Sequence, residues 1–209
     1  MNIIIRNETK DDYKKSENLT REAFWNVYRS GCTEHFVLNK FRESKNYIPE
    51  LSFVMEKDGE MIGHVMYAHS HIKSYDGKTI PIMTFGPISI APEYKGQGYG
   101  TRLLRYSMQK AKEMGGKALA ITGNIDFYGK SGFILASEKG IRYADAEPSD
   151  RVVPYFLIKE LEDGFLDNIS GTYSDPEEYF AAEKYPEEFE KYDSQFPPKN
   201  KETLPCQLG

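Results

Sequence analysis

The chain has 209 residues, 39% of them apolar, with 27 basic against 32 acidic side chains and a formal net charge of −5. This length can bury a core in one domain with a short appendage. The acidic balance, without a basic patch interleaved with aromatic residues, argues against a nucleic-acid partner, and no apolar run approaches the length of a membrane span.

The first residues predict a strand rather than a secretion signal, because three isoleucines at 3–5 are followed at once by charged residues. Two cysteines, Cys32 and Cys206, lie far apart without metal-type spacing. They are interpreted as free thiols in a reducing compartment, so the expected location is the cytoplasm.

Hydrophobic spacing and turn residues predict the elements in chain order. The first helix is expected to run from its cap at Thr9 to Gly31, with Val27 on its apolar side. The turns Asp58-Gly59 and Asp76-Gly77 are hairpin signals. The predicted elements are a strand over 2–7, that helix, a helix over 34–44, antiparallel strands over 51–57, 60–73 and 78–90, a helix over 98–114, a strand over 117–122, a short helix over 125–131, and strands over 133–136 and 152–161.

A glycine-rich turn joins the strand over 78–90 to the helix over 98–114. It reads Lys95-Gly96-Gln97-Gly98-Tyr99-Gly100, so three glycines at alternate positions leave the backbone uncovered. Consecutive backbone N–H groups can then point at one guest, and the helix adds its own unpaired N–H groups and the positive end of its dipole. Such a turn is typical of a pyrophosphate site.

Spacing excludes two common phosphate-binding loops. A dinucleotide fingerprint requires G-x-G-x-x-G, but Thr101 stands where the third glycine should fall. A nucleotide P-loop ends in Gly-Lys-Ser/Thr, but this turn continues as Gly100-Thr101-Arg102. The turn instead resembles the Gln/Arg-x-x-Gly-x-Gly/Ala loop of the GCN5-related N-acetyltransferases (GNAT), with Lys95 where that family usually has Gln or Arg. Lysine still offers a cation to phosphate, as a point charge rather than a fork.

A second stretch downstream resembles the same family. Phe127-Tyr128-Gly129-Lys130-Ser131-Gly132-Phe133 is similar to its F-Y-x-x-x-G-F signature, most of all to the bacterial branch with Tyr-Gly-x-x-Gly-Phe. Many relatives carry an asparagine seven residues before the tyrosine, where this chain has Ile121, and Asn124 is kept as a candidate for that cofactor contact. Two motifs in the family's order argue against a chance match. The resemblance covers roughly residues 1–160.

The resemblance implies an α/β GNAT fold over residues 1–161, a mixed, mostly antiparallel central sheet flanked by helices. The order β-α-α-β-β-β-α-β-α-β-β, read here from periodicity and turns, is also that family's order. The resemblance further implies acetyl-CoA as acyl donor, a small-molecule or protein amine as acceptor, no metal, and a homodimer. Ile88 and Ile90 would bracket the pantetheine. The candidate cofactor-binding residues are Ile88, Ser89, Ile90, Lys95, Gly96, Gln97, Gly98, Tyr99, Gly100, Thr101 and Asn124.

Acyl transfer needs an unprotonated amine and a proton for the leaving thiolate. An alkyl amine has a pKa of about 10.4, so its deprotonation at pH 7 costs roughly 4 to 5 kcal/mol. Tyr128 is the candidate general acid, because a phenol stays protonated at pH 7 and the resemblance gives the matching tyrosine this role. The alternative is a tyrosine whose ring packs in the core. The resemblance also implies that a backbone N–H at Ile90 meets the oxyanion.

No general base is assigned. Relatives often use a glutamate on the strand that corresponds to 78–90, but residues 79–87 include no carboxylate. His69 and His71 share one face of the neighbouring strand, and His64 takes the other. Each could relay a proton through water or be an ordinary surface or packed histidine. A metal site at His69 and His71 has no third ligand.

Pro81 and Pro87 lie inside the predicted strand over 78–90. Proline cannot donate to a ladder, so the sheet should open or bulge there. The family splays its strands at that point around the pantetheine arm, whereas an edge strand without a ligand is the alternative.

Residues 162–209 are expected to form an acidic, aromatic-rich extension. Between Glu160 and Asp193 there are twelve Asp and Glu against two Lys. Aromatic residues interleave with these acids, and aromatic residues at this density normally pack. The favoured interpretation is a helical or hairpin appendage that covers the core with its acids in water. The alternative is a part of an acceptor site or of a dimer contact that attracts a cationic amine.

The sequence therefore predicts an acetyl-CoA-dependent N-acetyltransferase. A CoA-binding sensor or interaction module of the same fold, without catalysis, is the alternative. No motif specifies the acceptor, the length of the acyl chain or the oligomeric state.

Overall fold

The computed structural model describes residues 2–144, 146, 152–205 and 207, which form nine strands and six α-helices. The strands are β1 (Ile3–Asn7), β2 (Tyr47–Lys57), β3 (Glu60–Ser74), β4 (Thr79–Ile90), β5 (Ala118–Thr122), β6 (Ile134–Leu135), β7 (Ile141–Tyr143), β8 (Phe156–Glu160) and β9 (Gly171–Tyr173). The helices are α1 (Tyr13–Phe24), α2 (Glu34–Glu43), α3 (Tyr99–Glu113), α4 (Ile125–Tyr128), α5 (Ala181–Lys184) and α6 (Pro186–Asp193).

The strands pair in the order β1-β2-β3-β4-β5-β8-β6, and β9 pairs with both β3 and β7. Pairing is antiparallel for β1 with β2, β5 with β8, β6 with β8 and β3 with β9. It is parallel for β4 with β5 and β7 with β9. The predicted α/β class with a mixed, mostly antiparallel sheet is confirmed, and the predicted element order agrees with it up to β6.

Contacts divide the chain into two compact units. The first unit contains the described residues of 1–66, 87–103 and 176–209. The second unit contains those of 67–86 and 104–175. Residues of the expected extension at 162–209 therefore occur in both units. Among the described residues, no helix is long and apolar enough to cross a membrane.

Helix α1 of the first unit ends seven residues before the predicted stop at Gly31, so Val27 lies outside it. Asn26 adopts a left-handed φ of 57°, which asparagine tolerates better than most residues. Its N–H donates to Gly31 O and its side-chain Oδ1 accepts from Gly31 N, both at 2.8 Å. These two bonds replace the continuation of the helix.

The hairpin between β2 and β3 is confirmed. Asp58 and Gly59 have φ of 51° and 91°, as a two-residue turn with positive φ at both positions requires. Both strands and α2 contribute apolar side chains that are almost fully buried in the first unit. These buried residues include Phe36, Leu38, Phe41, Leu51, Phe53, Val54 and Ile62.

The first unit also contains α5 and α6 of the predicted extension, which we name the acidic segment (residues 181–193). Phe189 and Tyr192 of α6 lie with their ring centroids 5.6 and 5.2 Å from that of Phe36 on α2. The carboxylates of Glu187 and Glu190 on the same helix remain exposed. Apolar contacts thus hold this segment against α2, while most of its acids face solvent.

The second unit is built around β5, β8 and the short parallel pair of β7 and β9. Strands β7 and β9 were not predicted, because three residues each carry no usable periodicity. Gly171 is required in β9, since a Cβ there would lie 2.3 Å from Lys73 O on β3. The buried residues of this unit include Ile72, Ile82, Ala118, Ala120, Phe156, Ile158 and Tyr173.

Candidate functional site

The glycine-rich turn of the first unit connects β4 to α3. It begins with a short 3-10 helix over Pro92–Tyr94, and α3 begins at Tyr99. Gly96 and Gly98 have φ of 74° and 85°, a left-handed conformation that favours glycine. A Cβ at either position would meet nothing within 4 Å, so the outer face of the turn is open.

The backbone N–H groups of this turn are largely unused. Lys95 N donates to Pro92 O at 3.3 Å, and Arg102 N donates to Gly98 O at 3.0 Å. In the part of the chain that the structure describes, the N–H groups of residues 96–101 have no protein acceptor. Unpaired amides at the positive end of a helix dipole attract an anion. The arrangement is therefore chemically suited to phosphate groups.

The side chains of the turn point back to the protein. Gln97 Nε2 donates to Glu93 O at 2.8 Å. Lys95 Nζ donates to the backbone oxygen of Ala23, in the last turn of α1, and partial burial lowers the pKa of this lysine. The ammonium that was expected to face phosphate thus contacts a helix end in this structure.

The end of β4 presents alternate residues to two environments. Ser89 is buried, and its Oγ lies 2.9 Å from Thr20 Oγ1 of α1. Ile88 and Ile90 are half-buried and take the opposite face of the strand. A Cβ at Gly63 would lie 2.8 Å from Ile90 Cδ1, so glycine there makes room for this isoleucine. Contact of Ile88 and Ile90 with pantetheine stays a prediction.

Strand β4 runs through both of its prolines. Among the described residues, its pairing with β5 consists of Met83 with Leu119 and Thr84 with Ala120, so it stops before Pro87. Gly86, next to that proline, has a φ of 122°. The hydrogen-bond ladder between β4 and β5 is short, in agreement with the prolines. The separation of these strands by a bound pantetheine arm stays a prediction.

Tyr128 lies in the second unit at the end of α4 and is 9% exposed. Its ring centroid is 5.8 Å from that of Phe85, 4.8 Å from Phe127 and 5.6 Å from Phe133. A Cβ at Gly123 would lie 2.3 Å from Tyr128 Cε2, so the ring rests on bare backbone. Packing therefore fixes the ring, which a catalytic hydroxyl also requires. The general-acid role stays a prediction.

Asn124 has a structural role in the second unit. Its Oδ1 accepts from Asp126 N at 2.8 Å and so caps α4. The residue is exposed, and its contact with the cofactor stays a prediction.

The three candidate histidines differ in burial. His69 and His71 are exposed, whereas His64 is fully buried. His64 Nε2 lies 3.1 Å from Glu8 Oε1 and 3.4 Å from Ser52 Oγ. Because the same ring nitrogen faces both groups, the histidine does not bridge serine and carboxylate as a hydrolytic triad requires. His64 is a core histidine.

Glu8 is the centre of a buried polar cluster that the sequence did not reveal. Its Oε1 accepts from Arg42 Nη2 at 2.6 Å and from Ser16 Oγ at 2.5 Å. Burial raises the pKa of Glu8, but His64, Arg42 and Ser16 outweigh burial and hold it at about 2. The cluster joins the residue after β1 to α1, α2 and β3, and no short motif links residues so far apart in sequence.

Within the described ranges, no three or more His, Cys, Asp or Glu side chains are arranged to hold a metal ion. Cys32 is a buried free thiol whose Sγ lies 3.1 Å from Glu34 Oε2. Burial raises the pKa of the Cys32 thiol. Cys206 lies outside the described residues.

Comparison with known proteins found a matching family model and a related protein. The model of the Acetyltransferase (GNAT) family matches residues 17–133, more than half of the chain. The uncharacterized N-acetyltransferase YjhQ of Escherichia coli (strain K12) is 29% identical over 100 residues. That match covers 47% of this chain and 54% of YjhQ, so the chain spans about half the length of this relative.

Two solved structures show the same fold. The GNAT family N-acetyltransferase YhbS from Escherichia coli, in complex with CoA, has a TM-score of 0.72 at 23% identity, over 85% of this chain and 91% of that one. A GNAT family acetyltransferase from Brucella melitensis, in complex with acetyl-CoA, has a TM-score of 0.66 at 22% identity, over 85% and 98% of the two chains. At these identities the likeness shows a common fold.

Proposed function

This chain belongs to the GNAT family of acetyltransferases, and on that premise we propose that it transfers an acetyl group from acetyl-CoA to a primary amine. The observation that carries the proposal is the open turn, in which the unpaired N–H groups of residues 96–101 lead directly into α3. The relatives from Escherichia coli and Brucella melitensis bind CoA and acetyl-CoA, which supports the same donor here.

In the proposed complex, the diphosphate of acetyl-CoA accepts hydrogen bonds from the N–H groups of residues 96–101. Ile88 and Ile90 bracket the pantetheine. Ser89 contacts the cofactor only through its backbone, because its buried hydroxyl is hydrogen-bonded to that of Thr20. Asn124 remains a further candidate contact.

The proposed chemistry is a direct attack without a covalent enzyme intermediate. The amine nitrogen attacks the thioester carbonyl carbon, and the carbonyl electron pair moves onto oxygen, where the backbone N–H at Ile90 receives it. The oxyanion then re-forms the carbonyl and the C–S bond breaks. Tyr128 donates its phenolic proton to the leaving thiolate and regains a proton from solvent, to which the amine has lost one.

The acceptor is proposed as a primary amine of a small molecule or a protein. A cytoplasmic location and a homodimer also remain parts of the proposal. A CoA-binding module without catalysis is the second candidate, favoured by the lack of any carboxylate among the residues of β4.

The test combines calorimetry with CoA and thiol release from acetyl-CoA over a panel of amines. Tyr128→Phe should lower kcat about 100-fold or more and leave the affinity for CoA unchanged. Tyr67→Phe is the matched control, because the Tyr67 ring is also buried against Phe85, with centroids 5.2 Å apart, and its hydroxyl lies 2.9 Å from Ser107 Oγ.

Three outcomes separate the candidates. No heat with CoA would refute the whole proposal. Heat without thiol release for any amine would establish the non-catalytic module. Equal turnover by the Tyr128→Phe and Tyr67→Phe variants would show that Tyr128 is not the general acid, without contradicting the proposed transferase activity.

A further inference from the structure

The acidic segment continues into a stretch that lies across the end of α1, which we name the C-terminal strap (residues 193–202). Asp193 Oδ1 accepts from Arg21 Nε at 2.7 Å, and Pro197 O accepts from Arg21 Nη1 at 3.1 Å. Asn200 O accepts from Trp25 Nε1 at 2.9 Å. The strap therefore bonds the last turn of α1 and the residue that follows it.

The guanidinium of Arg21, which makes two of these contacts, is buried. The side chain of Arg21 is 2% exposed, and its guanidinium lies 4.2 Å from the ring centroid of Trp25. The carboxylate of Asp193 also lies 3.0 Å from Nε2 of the buried His35 on α2. One carboxylate thus connects the strap to both helices.

The same helix end is held from another side by Lys95. The last four carbonyl groups of a helix have no partner within it, and a cation near them is favoured by the helix dipole. Ala23 O is one of these groups, and Lys95 Nζ donates to it. Lys95 directly precedes Gly96, the first residue of the turn with free N–H groups.

We propose that Lys95 is a positioning residue that fixes the entrance of the diphosphate-binding turn by capping α1, and that the C-terminal strap controls this contact by holding the same helix end. The inference rests on the proposed function, since it concerns the affinity of that turn for CoA.

The physical reason is preorganisation. Gly96 and Gly98 allow the backbone of the turn many conformations. Restricting them when CoA binds costs conformational entropy, which lowers the affinity for CoA. Among the described residues, the side-chain hydrogen bonds of residues 95–98 are those of Lys95 to Ala23 O and of Gln97 to Glu93 O. Displacing the end of α1 removes the first of them and leaves the turn to order itself around the cofactor.

The experiment is a double-mutant cycle in the full-length protein, with the Kd of CoA measured by calorimetry. Lys95→Met should raise the Kd about five- to tenfold, and Lys95→Arg, which can still cap the helix, should keep it near the parent value. Asp193→Asn should raise the Kd about threefold and add nothing in the Lys95→Met background. The KM for acetyl-CoA should follow the Kd while kcat stays constant.

Glu183→Gln is the matched control, because it removes a carboxylate of the same segment whose contact, Arg29 at 3.3 Å, is exposed. Should Asp193→Asn lower the melting temperature strongly, Trp25→Leu replaces it, since that change leaves no buried charge. Additive effects of the strap and Lys95 substitutions, or an effect of Glu183→Gln equal to that of Asp193→Asn, would overturn the inference. Lack of CoA binding by the parent protein would instead refute the proposed function.

Discussion

Replacing Gly98 by alanine tests the backbone of the turn without adding charge. A Cβ at this position would meet nothing within 4 Å, so the change causes no clash. The φ of 85° remains as the only obstacle, and a left-handed conformation costs a non-glycine residue about 1–2 kcal/mol. If CoA binds only to this conformation, its Kd should rise about 5- to 30-fold.

Gly59→Ala provides a closely matched control. Gly59 lies in the hairpin between β2 and β3 with a φ of 91°, and a Cβ there would also meet nothing within 4 Å. Alanine restricts the unfolded chain equally in both variants, so that contribution cancels in their comparison. Both variants should lose some thermal stability, and only Gly98→Ala should lose affinity for CoA.

Calorimetric titration with CoA and thermal melts of the two variants supply the readout. An unchanged Kd for Gly98→Ala, together with the expected loss of stability for Gly59→Ala, would refute the role of this backbone in holding the diphosphate. A parallel loss of affinity in both variants would show that affinity responds to global stability instead.

Other residues give further expectations. Gly123→Ala should push the Tyr128 ring aside, lower the free energy of unfolding by about 1–3 kcal/mol and reduce kcat. Gly129→Ala is its control, because a Cβ there makes ordinary contacts at 3.5 Å and kcat should be retained. Equal kcat values for the two variants would contradict this expectation. Burial holds the pKa of His35 at about 4, below its usual 6.5, so protonation favours the unfolded chain. Stability should fall by about 3 kcal/mol from pH 6.5 to 4, and His35→Gln should remove that part of the slope in urea titrations; an unchanged slope would contradict it. Arg42→Met removes the guanidinium that the buried carboxylates of Glu8 and Glu17 share. It should cost about 3–5 kcal/mol in urea unfolding, and a loss below 1 kcal/mol would contradict the importance of the buried cluster.

The parts of the fold that the sequence predicts are those set by local chemistry. The Asp58-Gly59 turn requires positive φ at both residues, which fixes the register of β2 and β3. The alternate glycines likewise predict a turn with uncovered backbone before α3, and Gly96 and Gly98 allow it by adopting positive φ. In these places the identity of one or two residues decides the backbone conformation.

Contacts between residues distant in sequence were not predictable. Helix α1 stops early because Asn26 and Gly31 bond each other, and neither residue signals this alone. The strand at Gly171 exists because its backbone fits against Lys73, almost a hundred residues earlier. The placement of Lys95 on Ala23 has the same origin, so the motif revealed the turn but not what its lysine contacts.

The assembly of the first unit from three separate segments has a consequence for synthesis. Residues from 176 onward are translated after α1 and α2, yet Asp193 among them contacts Arg21 and His35 on these helices. At about 5–20 residues per second, α1 and α2 wait about 10–30 s after their own translation for these partners. During that interval the nascent helices present apolar and charged groups that the finished protein hides, so vectorial folding of this unit ends only with its last helix.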